Sequence, residues 1–430
     1  MTRKAVKLGL IALLTLVSCE QYINKQVLPR TREQALNKAL LGFMQKYYYW
    51  VDMLPPDVDF MAYESPTELM EVLRYRPIDK WSYVSSRTEN DAYFNGASYA
   101  GFGYASGFDE DGNYIISYVY PKAPMRVQHG IDRGWRILAI DGQKPTPENV
   151  NNLLGPREVG VSRLFSMLRP QGDTVDYTLT KTLVETTSIL KDTVLNIGGS
   201  KVGYLALSEF VRPTEKELVD LFFQFKATGI NELVVDLRYN GGGLVNVSNT
   251  LANLIGGSKA NGQIYCTFNH NRLNQNLNEH LRFRNMPDTS LTTLNRVAFI
   301  TSSGTASASE LLINGLKPFM DVVCVGSRTH GKPVGMYTFS LPDPSIDWVF
   351  VPICFSAYNA NGYGDFFDGL PVDVEANDDI AHSFGSPDEA CMAAVLTQLG
   401  LSSGAKRSST PCKRFIPLML NGLDAQIGAK

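Results

Sequence analysis

Read for hydrophobic periodicity, the chain divides into three stretches of different texture. Over residues 32–53 apolar positions recur every three or four residues (Ala35, Leu36, Ala39, Leu40, Phe43, Met44), which is one face of a helix, and Leu54-Pro55-Pro56 ends the run. A second helix is predicted over 66–74. From about residue 92 to 183 the pattern changes to short strands and turns: a turn at 109–112, strands over 114–119, 136–140 and 175–179, and a short helix inside PKAPMRVQHGIDRGW. A further helix is expected over 148–154 or 161–168. From about 193 to 399 strands alternate with helices. A strand over 202–207 precedes an amphipathic helix over 213–227 with Leu218, Leu221, Phe222 and Phe225 on one face. Strands over 233–237, 297–300, 321–325 and 348–356 follow, with helices over 245–255, after residue 307, and over 387–399, the last with Asp388 and Glu389 in its first turn. Strands alternating with helices argue an α/β layered core.

The first residues stand outside this pattern. Arg3, Lys4 and Lys7 precede an apolar run over 8–17 that is too short to span a bilayer as a mature helix. Leu16-Val17-Ser18-Cys19 then fits a lipobox, with Cys19 as the lipid-bearing residue. The expected organisation is a lipoprotein signal (1–19), a tether and helical domain (20–91), a β-rich domain (92–185), an α/β core (186–402) and a basic, serine-containing tail (403–430) to which no role is assigned. A lipid anchor makes the bacterial cell envelope the expected location and a membrane the expected partner; membrane face and oligomeric state stay open.

Composition refines this only slightly. The 430 residues are 44% hydrophobic and 19% charged, as in ordinary folded proteins. A net charge of −3, from 40 basic and 43 acidic residues, gives no reason to expect a nucleic-acid partner. Beyond Cys19, the cysteines Cys266, Cys324, Cys354, Cys391 and Cys412 are odd in number and scattered, so they form no disulfide framework. Cys324 and Cys354, inside apolar runs, read as buried thiols. No Cys or His pair has zinc-like spacing, and neither metal nor cofactor is expected.

Three motifs carry candidate chemistry. TSSGTASASE joins a β-branched strand to a helix start, which exposes Ser307 beside backbone N–H groups that favour negative charge. DLRYNGGG places three glycines between a strand and a helix, where their N–H groups can form an anion nest. GSRTHGKPVG carries Lys332 and imitates a phosphate loop, but Pro333 stands where Ser or Thr must bind the metal and no helix follows. A dinucleotide loop at Gly101, Gly103 and Gly107 fails because the spacing is wrong and no helix-forming run follows. No Gly-x-Ser-x-Gly elbow is present and no histidine is marked as a base. A lysine can replace it when desolvation lowers its pKa. A serine turn before a helix also reads simply as a cap, and spacing alone does not join Ser307 to Lys332.

The order of elements around GFGY and AIDG resembles a PDZ domain. That resemblance implies that backbone N–H groups at Gly101, Phe102, Gly103 and Tyr104 capture a peptide C-terminus while the peptide adds a strand to the sheet edge. The chain as a whole, from about 32 to 399, resembles the C-terminal processing (tail-specific) serine peptidases in the order of its helical N-region, PDZ-like module, DLRYNGGG loop, TASASE turn and GK loop. The resemblance implies a crotonase-like (Clp-peptidase-like) α/β core, Ser307 as nucleophile, Lys332 as base 25 positions later, and an oxyanion hole from the N–H groups of Ala308 and Gly242. Protein or peptide substrates follow from it. Some members carry a supporting Gln four residues after the lysine, where this chain has Met336; others carry an Asp eleven after the serine, where it has Pro318. Neither His330 nor Glu310 is assigned by the family pattern, so the group orienting Lys332 is open. The alternatives are a peptide- or partner-binding lipoprotein without turnover, and acyl-thioester chemistry, for which the PDZ-like segment and the Ser307–Lys332 spacing supply no reason.

Overall fold

The computed structural model describes residues 31–95, 98–401 and 415–418, together with residue 29. The signal sequence, the Cys19 anchor and Cys412 lie outside the described residues.

The first helix, Arg32–Tyr47, is capped by the Thr31 hydroxyl, which accepts from Gln34 N at 3.2 Å. It buries Leu36, Leu40 and Met44. The helical run predicted as far as residue 53 breaks after Tyr47 and resumes only as a 3₁₀ turn, Val51–Met53. Tyr48 supplies the reason: its hydroxyl donates to the buried Asp79 at 2.7 Å, and the ring is wholly buried. Ser65 caps the second helix, Pro66–Leu73, with Pro66 at its first turn. This region has no separate core. Leu36, Leu40, Met44 and Leu69 share a cluster with Val334, Phe350 and Ile353, and the strand Tyr83–Ser85 pairs antiparallel with Val349–Val351. The helical region therefore leans directly on the strands that follow Lys332.

The β-rich module is a six-stranded antiparallel sheet in the order Phe415–Pro417, Tyr104–Asp109, Tyr114–Val119, Arg136–Ile140, Ser162–Leu168, Thr174–Thr180. Of the two places expected for its second helix, Val150–Leu154 is helical and 162–168 is a strand. Phe165 and Met167 are fully buried while Leu164 is exposed, the alternation of a half-buried strand. The tail contributes the first strand, a role its sequence did not suggest.

The core is a six-stranded sheet in which Ser200–Leu207, Glu232–Asp236, Arg296–Thr301, Asp321–Gly326 and Val374–Glu375 run parallel, with Ile189–Ile197 antiparallel at one edge. Leu205, Val235 and Phe299 face the helices Arg212–Thr228, Val245–Ala260 and Ala308–Leu316, while Tyr204, Val234 and Ile300 face the helix Ala390–Gln398 and the module. A sheet covered on both faces explains the continuous apolar runs of these strands. The α/β class is as expected. The run predicted as one strand over 348–356 is two, Val349–Val351 and Ile353–Tyr358, which enter different sheets. Pro352 separates them, since it has no N–H to continue a ladder.

A buried ion cluster joins module to core. Arg133 of the module bonds Asp378 at 2.5 Å and Tyr239 Oη at 2.8 Å, and Arg238 bonds Asp236 at 2.7 Å, Asp378 at 2.7 Å and Glu389 at 2.8 Å. Glu389, expected inside the first turn of the last helix, is instead its N-cap and accepts from Met392 N at 2.9 Å. Arg238 and Tyr239 of the DLRYNGGG motif thus belong to this joint. Cys266, Cys324, Cys354 and Cys391 are free and buried, and burial pushes the Cys324 and Cys354 thiols up to about 12.

Candidate active site

Ser307 sits where the parallel strand Arg296–Thr301 has ended and the helix Ala308–Leu316 begins. Its backbone is at φ 54°, ψ −114°, a conformation that a side chain strains. Three bonds hold the turn there: Ala306 N and Ser309 Oγ both donate to Asn240 O at 3.1 Å, and Ser307 N donates to Glu310 Oε2 at 2.8 Å. The glycine loop presses on the same point. At Gly242 (φ 106°) a Cβ would stand 2.8 Å from Ser307 Cβ and 3.0 Å from Ala308 N, so only glycine fits.

Glu310 ties this turn to the lysine loop. Its Oε2 also accepts from Lys332 N at 2.9 Å, and its Oε1 accepts from Gly331 N at 2.7 Å and Thr329 Oγ1 at 2.6 Å. One fully buried carboxylate therefore carries four donors, two on each oxygen. Burial raises the Glu310 pKa, and the four donors act against that rise. The structure brings the backbones of Ser307 and Lys332 to one oxygen of this carboxylate.

Lys332 is 2% exposed. Burial lowers its pKa to about 8, opposed by the negative charges of Asp79 and Glu310. Among the described residues no carboxylate lies within ion-pair distance of its amine. The nearby ring is Trp81, whose centroid is 5.9 Å from Lys332 Nζ. Trp81 Nε1 donates to His330 Nε2 at 3.2 Å, so that nitrogen of His330 acts as an acceptor already in use. Burial, reinforced by the Lys332 charge, lowers the His330 pKa. With its Nε2 turned toward Trp81, His330 does not offer that nitrogen to Ser307 in this conformation.

Asp79 completes this surround. It is fully buried and accepts from Tyr48 Oη at 2.7 Å, Trp81 N at 3.0 Å and Ser82 N at 2.9 Å. Sequence reasoning missed Asp79 and Trp81, which lie some 250 positions before Lys332, and gave Glu310 no function. Glu310 had a signal, the Ser-x-x-Glu spacing of a helix start; Asp79 had none. The two family support positions hold no polar group: Met336 packs in apolar clusters with Tyr83, Val349 and Ala306, and Pro318 lies beyond the helix end.

The expected oxyanion donors differ from each other. Ala308 N–H is at the first position of its helix, where N–H groups have no intrahelical acceptor. Gly242 N–H already donates to Asn240 Oδ1 at 2.9 Å, so it is not free in this conformation, and Asn240 Nδ2 is left buried without an acceptor. Of the four PDZ-like positions, Phe102 and Tyr104 bury their side chains in the module, Gly103 O accepts from Tyr120 N at 2.9 Å, and Gly101 ends the strand Ser98–Gly101. Any ligand there meets backbone.

An α/β core thus ties a strained serine turn and the loop of a buried lysine together through one carboxylate. Residues 201–373 match Peptidase family S41 and residues 35–83 match the Peptidase S41 N-terminal domain, together more than half of the chain. The chain belongs to peptidase family S41. It is 30% identical over 227 residues to a carboxyl-terminal-processing protease of Picosynechococcus sp., covering 50% of each protein. It is 27% identical over 212 residues to a carboxyl-terminal-processing protease of Synechocystis sp., covering 48% of this chain and 47% of that one. The chain thus spans about half the length of the curated relatives it matches. In fold it is similar to an S41-type protein from Bacteroides fragilis of known crystal structure, with a TM-score of 0.70 at 23% identity over 87% of this chain and 98% of that one.

Proposed function

We propose that this chain is a serine endopeptidase in which Ser307 is the nucleophile and Lys332 the general base. The observation that carries the reading is the Glu310 carboxylate, which holds the backbone of both residues while burial brings the Lys332 pKa to about 8. At pH 7 about a tenth of such a lysine is neutral amine, enough to accept a proton. Ser307 Oγ attacks the scissile carbonyl carbon, its proton passes to Lys332 Nζ, and the carbonyl oxygen becomes an oxyanion facing Ala308 N–H. Gly242 N–H joins it once the bond to Asn240 opens. Collapse expels the amine product, which takes the proton from Lys332, and water then releases the acyl group by the same route.

In the same reading the β-rich module, as a PDZ-like domain, recognises substrate C-termini. Cys19 anchors the chain to the cell envelope by lipid. Ser307→Ala should abolish both cleavage of an unfolded protein and labelling by a serine-directed probe; undiminished cleavage by that variant sinks the assignment. A second reading, a peptide-binding protein without turnover, is favoured by the engaged Gly242 N–H, and it predicts that the unaltered chain also fails to label.

A further inference from the structure

The strand Phe415–Pro417 lies against Tyr104–Asp109, whose other side is already paired with Tyr114–Val119. Remove the tail segment and Tyr104–Asp109 becomes a free sheet edge. The pairing is antiparallel, with Phe415 opposite Asp109, Ile416 opposite Phe108 and Pro417 opposite Gly107; Leu418 N then donates to Ser106 O at 2.8 Å. The segment runs toward Tyr104 and Gly103, the end of the strand where the glycine turn begins. Bonded and non-bonded pairs alternate in such a ladder, so Pro417 falls at a position that needs no N–H.

Two features show that the edge is shaped for an added strand. A Cβ on Gly107 would stand 2.2 Å from Ile416 O and 2.8 Å from Pro417 Cα, so the missing side chain is what admits the neighbouring backbone. The grip is also slight. Phe415 is buried and Leu418 packs on the module's core, but Ile416 is 55% exposed, and the remainder is a few main-chain hydrogen bonds, each with a net contribution of about 1 kcal/mol. Such a segment stays in place mainly because it is on the same chain, at an effective concentration on the order of a millimolar.

We infer that Phe415–Leu418 is a resident, displaceable occupant of a strand-addition site, and that an extended apolar peptide segment of a substrate pairs with Tyr104–Asp109 by displacing it. The incoming peptide adopts the direction of the segment it replaces, which carries its C-terminal end to the Gly101–Tyr104 turn. The inference rests on the module being the substrate-recognising part of the peptidase. A permanent cover that merely protects a sheet edge is the competing account.

The test measures binding in the full chain carrying Ser307→Ala, so that its failure is separate from failure of the peptidase reading. The probe is a fluorescein-labelled nonapeptide copying residues 412–420, with serine for Cys412 and a free carboxylate, followed by anisotropy. Phe415→Asp with Leu418→Asp should release the segment and tighten binding about tenfold, and adding Gly107→Val should abolish it. Unchanged affinity on release, or binding indifferent to Gly107→Val, overturns the proposal. Should the released variant not fold, hydrogen exchange in the Ser307→Ala chain decides. Saturating peptide should strip protection from the Ile416 and Leu418 amides and leave Phe108 protected; protection retained at Ile416 and Leu418 overturns it.

Discussion

Ser307 N and Lys332 N donate to the same oxygen, Glu310 Oε2, at 2.8 and 2.9 Å. The serine turn and the lysine loop follow different strands of the sheet, and this one atom ties their backbones together. The strained backbone of Ser307 persists because Glu310, Asn240 and Gly242 hold it from three sides.

Glu310→Gln tests that relationship. The amide keeps the shape but turns one oxygen into a donor, facing groups that are themselves donors. The expected result is a loss of kcat/KM of at least a hundredfold and a loss of stability of about 2–4 kcal/mol, read by peptide cleavage and by urea unfolding. A variant with both unaltered would show that the clamp has no role in holding the site.

On the proposed mechanism Lys332 sets the pH dependence. Its folded pKa is about 8 against an ordinary 10.5, and the neutral amine is the base, so kcat/KM should rise with pH and level off above about 8. For folding the sign is the opposite of a stabilising ion pair. The unfolded chain holds the proton more tightly, so the buried lysine costs stability below about pH 8, and that cost fades between 8 and 10.5. Lys332→Met should therefore be inactive yet more stable by about 1–3 kcal/mol at pH 7, with a smaller gain at pH 9.5 in the same unfolding assay.

Asp79 raises the Lys332 pKa against the effect of burial. Asp79→Asn should move the activity rise to lower pH, while costing about 1–3 kcal/mol of stability because three donors lose part of their acceptor. Tyr48→Phe separates the two effects: it breaks the 2.7 Å bond to Asp79 but keeps the charge, so stability should fall and the pH profile should stay. An unmoved profile in Asp79→Asn would remove Asp79 from the electrostatics of the site.

Ser307→Gly should be inactive and more stable than Ser307→Ala by about 1–2 kcal/mol. Glycine adopts φ 54°, ψ −114° without the clash that alanine retains. Thermal unfolding of the two variants side by side measures the strain the serine bears; equal stability would mean that the turn is relaxed.

The periodicities located the helical start, the β-rich middle and the α/β core, because burial on one face or both is written locally in apolar spacing. Ser307 and Lys332 were legible for a similar reason, since a small-residue turn and a glycine-flanked lysine are short-range patterns. The 162–168 segment was ambiguous, and only its pairing on both edges, with Arg136–Ile140 and Thr174–Thr180, made it a strand. Pro352 was visible in the sequence, but that its two flanking strands enter different sheets was not. The roles of Asp79 and Trp81 around Lys332 and of Phe415–Pro417 on the module edge arise from contacts spanning hundreds of residues, which no local pattern encodes. The sequence by itself determined which residues are the candidates for the proposed chemistry. The tertiary structure decided what surrounds them, because a lysine's desolvation and a carboxylate's four donors exist only once distant segments have packed together.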